Sequence, residues 1–196
     1  QSHLSGGMRR DGRLYHLRPN ALTVENEKRR ADLRFVRSAA EVVGAAMAPG
    51  ALVILESTVP PKTTAMMTEI LEKKSGIPRS EFYTAHCPER VIPGRMLTEL
   101  KENDRIIGAS SPTAAELAVE IYDKVVSKGE LRVTDDVTAE MCKLCENTYR
   151  DINIAYANEL SMICDQLEID VFELVELANC HPRVNIHTPG VGVGGH

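Results

Sequence analysis

The sequence predicts an α/β fold in which a mainly parallel, doubly wound sheet is followed by an all-helical segment built on one long rod. Three observations carry that prediction. Short, uninterrupted apolar runs, of which Leu52 to Leu55 is the clearest, alternate with stretches of helical periodicity about a dozen residues long, the pattern of strands covered on both faces by helices. Gly and Pro punctuate those changes at Pro49, Gly50, Gly76 and Pro112. From Asp136 to Leu167 both residue types are absent, and the composition favours helix throughout, a rod of nearly 50 Å at about 1.5 Å per residue.

Taken in order, Gln1 to Gly7 read as a tag remnant, with native sequence expected from Met8. Met8 to Arg30 is charged and irregular, and reads as a poorly ordered or edge segment. Asp32 can cap the next helix, whose apolar positions Leu33, Val36, Ala39, Ala40, Val43 and Met47 recur at helical spacing until Pro49 and Gly50. Leu52 to Leu55 follows as a buried strand. Thr63 to Lys74 predicts a helix ended by Gly76, Phe82 to Thr84 a strand, Arg105 to Gly108 another, Pro112 to Val126 a helix with Pro in its first turn, and Leu131 to Val133 a final strand. Beyond the long rod, Val171 to Ala178 predicts a second helix, and the tail after His181 is rich in Gly and Pro.

A rod that long beside a small sheet cannot bury every apolar residue it carries. Ile152, Ala155, Leu160 and Ile163 are therefore expected to meet a partner, which favours a homodimer. The net charge of -5 comes with no basic block, so the chain lacks the electrostatic footprint of a nucleic-acid binder. No apolar run approaches the ~20 residues that cross a bilayer, and no apolar signal core opens the chain; a soluble, cytoplasmic protein is expected. Five scattered cysteines do not make a disulfide framework, which fits a reducing compartment.

Several residue groups could carry chemistry. Lys143 and Asn147 lie four apart on the long helix, with Glu140 a turn before; the spacing puts them on one face, which could be a solvated stripe or a set of donors. Glu89 and Arg90 follow the strand around Phe82, and Ser57 and Thr58 follow Leu55. Both sites are at the carboxyl ends of strands, where α/β sheets bind ligands, although each also reads as an ordinary loop. Arg183 could be a surface arginine or an anion ligand. Gly190, Gly192 and Gly195 match a dinucleotide-binding spacing, but they follow Pro189 rather than a strand and open no helix, so that match is discounted. Cys142 and Cys145 form a lone C-x-x-C with no second pair for zinc.

Three segments together, Glu140 to Arg150, Pro88 to Gly94 and His181 to His196, resemble the UDP-glucose/GDP-mannose dehydrogenase family. Within it they are most similar to the branch acting on UDP-N-acetylmannosamine. The resemblance runs from about Leu22 to His196, whereas Met8 to Leu17 match poorly where a central strand would be expected. It implies that residues 8–133 form the second half of a Rossmann-like NAD-binding domain, and 134–196 part of a central helical dimerisation and substrate domain.

The resemblance also implies roles. Lys143 and Asn147 would hold the substrate hydroxyl and stabilise an oxyanion. Glu89 would act as general base for the hydrolytic water and lie beside the cofactor. Ser57 and Thr58 would approach the nicotinamide, with Thr58 also positioning that water. Arg90, Arg183 and Gly192 would contact the nucleotide sugar, Arg183 from across a dimer. Where some relatives have a second glutamate, this chain has Pro93, so a mechanism needing both carboxylates does not transfer.

The implied activity is NAD-dependent oxidation of a nucleotide sugar's C6 alcohol to a carboxylate, feeding polysaccharide synthesis. The family's catalytic cysteine would come directly after the position of His196, and its glycine-rich pyrophosphate loop before the matched region. The expectation is therefore a truncated chain with catalysis absent or severely impaired. A non-catalytic dimerisation scaffold and an orphan fragment are the alternatives. Loss of the first strands would bare a central strand, whose edge is expected to be covered by the N-terminal segment or a neighbouring subunit.

Overall fold

The computed structural model describes residues 14–17, 24–25, 30–90 and 96–190. The expected tag remnant, the start at Met8 and Gly192 lie outside the described residues. The chain divides into two compact units, Gln1–Leu144 and Cys145–His196.

The first unit is built on a five-stranded sheet. Its strands are β1 (Leu14–Leu17), β4 (Leu52–Leu55), β5 (Tyr83–His86), β6 (Arg105–Ala109) and β7 (Leu131–Asp135), in the order β1-β4-β5-β6-β7. Two short strands, β2 (Val24–Glu25) and β3 (Arg30–Ala31), pair separately and antiparallel. β1 is parallel to β4 with Leu14 opposite Leu52, and β4 is parallel to β5. The segment expected to be either poorly ordered or at an edge thus supplies an edge strand, and β1 lies along β4. The mainly parallel sheet has one antiparallel pairing: β6 runs against β5, with Ala85 opposite Ala109 and His86 opposite Gly108, and β7 runs parallel to β6.

All four residues of β4 are buried, and strand periodicity sends them to opposite layers. Val53 and Leu55 join Leu17, Val36, Ala40, Val43, Met67 and Leu71 in one cluster. Those partners come from β1 and from two helices, α1 (Arg34–Ala46) and α2 (Thr63–Ser75). Leu52 and Ile54 face the other way, onto Ala85, Ile107, Ala118 and Tyr122. Full burial of aliphatic side chains contributes about 1.5–3 kcal/mol each, which is why this run dictates the sheet. Asp32 accepts the Arg34 amide at 3.0 Å, so it supports the start of α1 from just outside. Gly76 ends α2 with φ of 70°, a conformation glycine adopts without strain.

A short helix, α3 (Met96–Glu102), was not anticipated from the sequence. The next, α4 (Pro112–Tyr122), opens with Ser111 accepting the Ala114 amide at 3.2 Å and stops four residues before the expected Val126. Val126 N–H still donates to the Tyr122 carbonyl at 2.8 Å, so the chain continues as a turn. α5 (Asp136–Leu167) spans the stretch free of Gly and Pro.

The second unit contains the rest of α5 and α6 (Val171–Asn179), whose first turn is capped by Asp170 accepting from the Phe172 amide at 2.7 Å. Asn179 then holds the tail: its Nδ2 donates to the Ile186 carbonyl at 3.0 Å, and its Oδ1 accepts the Ile186 amide at 2.7 Å. Ile152, Ile163, Leu167, Phe172 and Leu177 are exposed, while Ala155 and Leu160 are half-buried. No helix among the described residues is long and apolar enough to cross a membrane.

Candidate functional site

The carboxyl ends of β4 and β5 carry a buried polar cluster. Glu56, directly after β4, is 1% exposed, although it closes a run of apolar residues. A charge so placed must be compensated. Tyr122 donates its hydroxyl to Glu56 Oε1 at 2.8 Å, and His16 Nδ1 lies 3.2 Å from the same oxygen. Arg105 stacks over the Tyr122 ring, with Cζ 4.8 Å from the centroid. Burial pushes the Tyr122 phenol well above its ordinary range, reinforced by the neighbouring Cys87 and Glu56. Burial likewise pushes the Cys87 thiol up to about 12, so this cysteine is an inert core residue rather than a nucleophile. His86 is fully buried, and burial pulls its imidazole down to about 4.

The backbone brings Glu89 to this cluster. Its amide donates to the Glu56 carbonyl at 3.1 Å, which ties the loop after β5 to the residue just before Ser57. Glu89 Oε1 accepts the Arg90 amide at 2.9 Å and stands 3.8 Å from an Arg105 guanidinium nitrogen. The antiparallel direction of β6 explains that last pairing. Extending the register by which His86 faces Gly108 puts Glu89 opposite Arg105, so the first residue of β6 arrives at the carboxyl end of β5. Arg90 reaches back to the Asp104 carbonyl, with Nη1 donating at 3.1 Å.

Ser57 and Thr58 are half-buried in the turn that leads to α2. That turn is closed where Thr63 donates its hydroxyl to the Pro60 carbonyl at 2.6 Å. Lys143 is half-buried on α5 in the same unit. Glu140, one turn earlier, is fully buried and is no part of a solvated stripe. Asn147 and Arg183 are exposed and belong to the second unit, where the Arg183 amide donates to His181 Nδ1 at 3.3 Å. The structure therefore gathers Ser57, Thr58, Glu89 and Arg90 at neighbouring strand ends, with Lys143 in the same unit.

Sequence reasoning missed Glu56, Arg105 and Tyr122. The usable signal was a carboxylate placed directly at the end of a fully apolar strand, which needs a partner wherever it is buried. All five cysteines are free thiols, and no cluster of His, Cys, Asp or Glu among the described residues is placed to hold a metal ion.

Comparison with known proteins fits this arrangement. Residues 22–126 match the NAD binding domain of the UDP-glucose/GDP-mannose dehydrogenase family, and residues 137–196 match its central domain. The chain belongs to the UDP-glucose/GDP-mannose dehydrogenase family. A UDP-N-acetyl-D-mannosamine dehydrogenase from Methanococcus maripaludis is 51% identical over 176 residues, covering 90% of this chain and 39% of the relative. An NDP-N-acetyl-D-galactosaminuronic acid dehydrogenase from Ralstonia solanacearum is 48% identical, covering 87% of this chain and 42% of the relative. Among solved structures, a UDP-D-ManNAc dehydrogenase from Pyrococcus horikoshii superposes with a TM-score of 0.85 at 47% identity, over 93% of this chain and 43% of that one. The chain thus spans about two fifths of the length of these family members. NAD is the cofactor of the matched domain.

Proposed function

We propose that the protein carrying this chain is an NAD-dependent nucleotide-sugar 6-dehydrogenase acting on UDP-N-acetylmannosamine. The observation that carries the reading is the junction at the carboxyl ends of β4 and β5, where the backbone hydrogen bond from Glu89 to Glu56 brings the Glu89–Arg90 loop beside the Ser57–Thr58 turn. Ligands of open α/β sheets bind at such ends. The half-buried hydroxyls of Ser57 and Thr58, with Glu89 close by, suit the nicotinamide portion of NAD. When bound, that group accepts hydride from the substrate carbon. The identity to mannosamine dehydrogenases supports the choice of sugar.

In this reading the site would support two successive two-electron oxidations at the same carbon, with bound NAD supplying the acceptor for each and water supplying the second carboxylate oxygen. Glu89 takes the proton from that water, with Thr58 orienting it. Lys143 and Asn147 donate to the substrate oxygen as negative charge grows on it. Arg90 and Arg183 serve the charged nucleotide, for which a planar guanidinium offers several donors. The partner we propose is a second copy of the chain, met through α5. Support comes from the exposed apolar residues Ile152 and Ile163 on that helix, 62% and 50% exposed.

The experiment measures NADH formation with UDP-N-acetylmannosamine by this chain and by a version extended to the length of its relatives. The extended form is expected to turn over, the chain alone to be silent, and Glu89→Gln in the extended form to lose about 10²–10⁴-fold in rate. An extended form that reduces NAD with no UDP-N-acetylhexosamine overturns the reading. Turnover with the galactosamine isomer alone corrects the sugar.

A further inference from the structure

The N-terminus of α2 is held by a residue from a different part of the chain. Helix N-termini leave amide groups without intrahelical partners, and the usual remedy is a capping side chain just before the helix. Here Lys62, the residue at that position, offers no side-chain cap and sits in the left-handed region with φ of 71°, an uncommon state for a residue with a Cβ. Glu140 of α5 supplies what is missing. Its Oε2 accepts the Lys62 amide at 2.5 Å, and its Oε1 accepts both the Thr64 amide and the Thr64 hydroxyl at 2.7 Å. The carboxylate is fully buried. The positive end of the α2 dipole adds to the attraction.

A second, independent contact fixes the same stretch of α5. Gly108 on β6 leaves no room for a side chain: a Cβ there would sit 2.4 Å from the Ala139 Cβ and 2.9 Å from the Asp135 carbonyl oxygen. The start of α5 therefore rests directly on the sheet backbone, and the next residue, Glu140, reaches α2. Lys143 lies three residues further on, about 4.5 Å along the helix axis. On the other side, the residues Glu140 grips follow Thr58 by only a few positions, through a turn already closed by Thr63 on Pro60.

We infer that Glu140 is a positioning residue that locks the Ser57–Thr58 turn to Lys143. One buried carboxylate holds both the end of the turn and the helix carrying the lysine, so neither can shift without breaking charge-assisted hydrogen bonds. The inference rests on the roles proposed for Thr58 and Lys143, but the lock itself is a statement about geometry.

The test uses this chain with Glu140→Gln, and Leu71→Ala as a control that loosens the core beneath α2 without touching the lock. The glutamine is isosteric, but its amide nitrogen cannot accept the Lys62 N–H. Hydrogen exchange is read at the Lys62 and Thr64 amides, and acylation by acetic anhydride is read at Lys143 relative to Lys74. In Glu140→Gln, exchange at both amides is expected to rise about tenfold or more, and the Lys143-to-Lys74 labelling ratio to change by about threefold or more. Leu71→Ala is expected to leave that ratio at its wild-type value. Faster exchange in Glu140→Gln with an unchanged labelling ratio would reduce Glu140 to a cap of α2 and overturn the inference. So would unchanged exchange, or a ratio that moves equally in the control. None of these readouts depends on turnover, so a failed dehydrogenase assay and a failed lock are separate results.

Discussion

His86 makes the stability of this fold sensitive to acid in a window that can be calculated. Its side chain is fully buried at the end of β5, beside the Leu55 backbone and the Glu56 carboxylate. Burial lowers its pKa from 6.5 to about 4, an effect only partly offset by the Leu55 backbone and the charge of Glu56. Because the folded value lies below the unfolded one, the unfolded chain takes up a proton in this range before the folded one does. The contribution to stability is therefore fully present above 6.5 and is lost as the pH falls through about 4. The gap from 6.5 to about 4 corresponds to about 3 kcal/mol in full, of which about 2 kcal/mol falls between about pH 7 and about pH 4.5.

Urea unfolding at those two values, for the wild type and for His86→Leu, isolates the effect from the carboxylates that titrate in both. At about pH 7 the variant is expected to lie within about 1 kcal/mol of wild type, since it removes a buried polar ring and approximates its volume. On acidification it is expected to lose about 2 kcal/mol less than wild type. Equal losses in the two proteins would show that His86 is not held neutral by burial, and would refute the reasoning.

Tyr122→Phe removes one donor from the buried Glu56 carboxylate and is expected to lower the unfolding free energy by about 1–3 kcal/mol, read by urea denaturation. Gly108→Ala forces a methyl group against Ala139 and the Asp135 carbonyl; overpacking of this kind costs about 1–3 kcal/mol, and a melting temperature at the wild-type value would show that α5 can slide on the sheet. Ile152→Glu puts a charge on the exposed apolar residue of α5 at which we propose a second copy docks. Sedimentation velocity is expected to show a dimer in the wild type and a monomer in the variant, and a wild-type monomer at high concentration removes α5 as the interface.

What the sequence made legible, and what it hid, divides along physical lines. β4 could be read because four consecutive apolar residues between turn signals leave one sensible assignment, and α5 because nothing in its length breaks a helix. β1 could not be read in the same way. Leu14 to Leu17 includes a tyrosine and a histidine, and it is a strand because β4 offers it a ladder, a tertiary cause that leaves no local trace. The direction of β6 was equally invisible, since strand residues pack alike whichever way the chain runs. The Ser57–Thr58 and Glu89–Arg90 segments were recognisable as strand-end loops. The buried role of Glu140 was not, because the amides that require it lie 78 and 76 residues away.

The reversal of chain direction between β5 and β6 has a consequence for the chemistry. Two carboxylates, Glu56 and Glu89, meet at adjacent strand ends, joined by a hydrogen bond between their backbones. In a low-dielectric setting two like charges destabilise each other unless a cation lies between or beside them. In a wholly parallel sheet, the first residue of β6 would lie at the opposite, amino end of β5. Reversal of β6 instead carries Arg105 to the carboxyl end, where its guanidinium faces Glu89 at 3.8 Å and covers the Tyr122 ring that donates to Glu56. The strand direction thus supplies the countercharge that lets an acidic pair occupy the end of the sheet where ligands bind. A buried arginine suits that place, since its planar guanidinium offers several donors and is less strongly hydrated than an ammonium group.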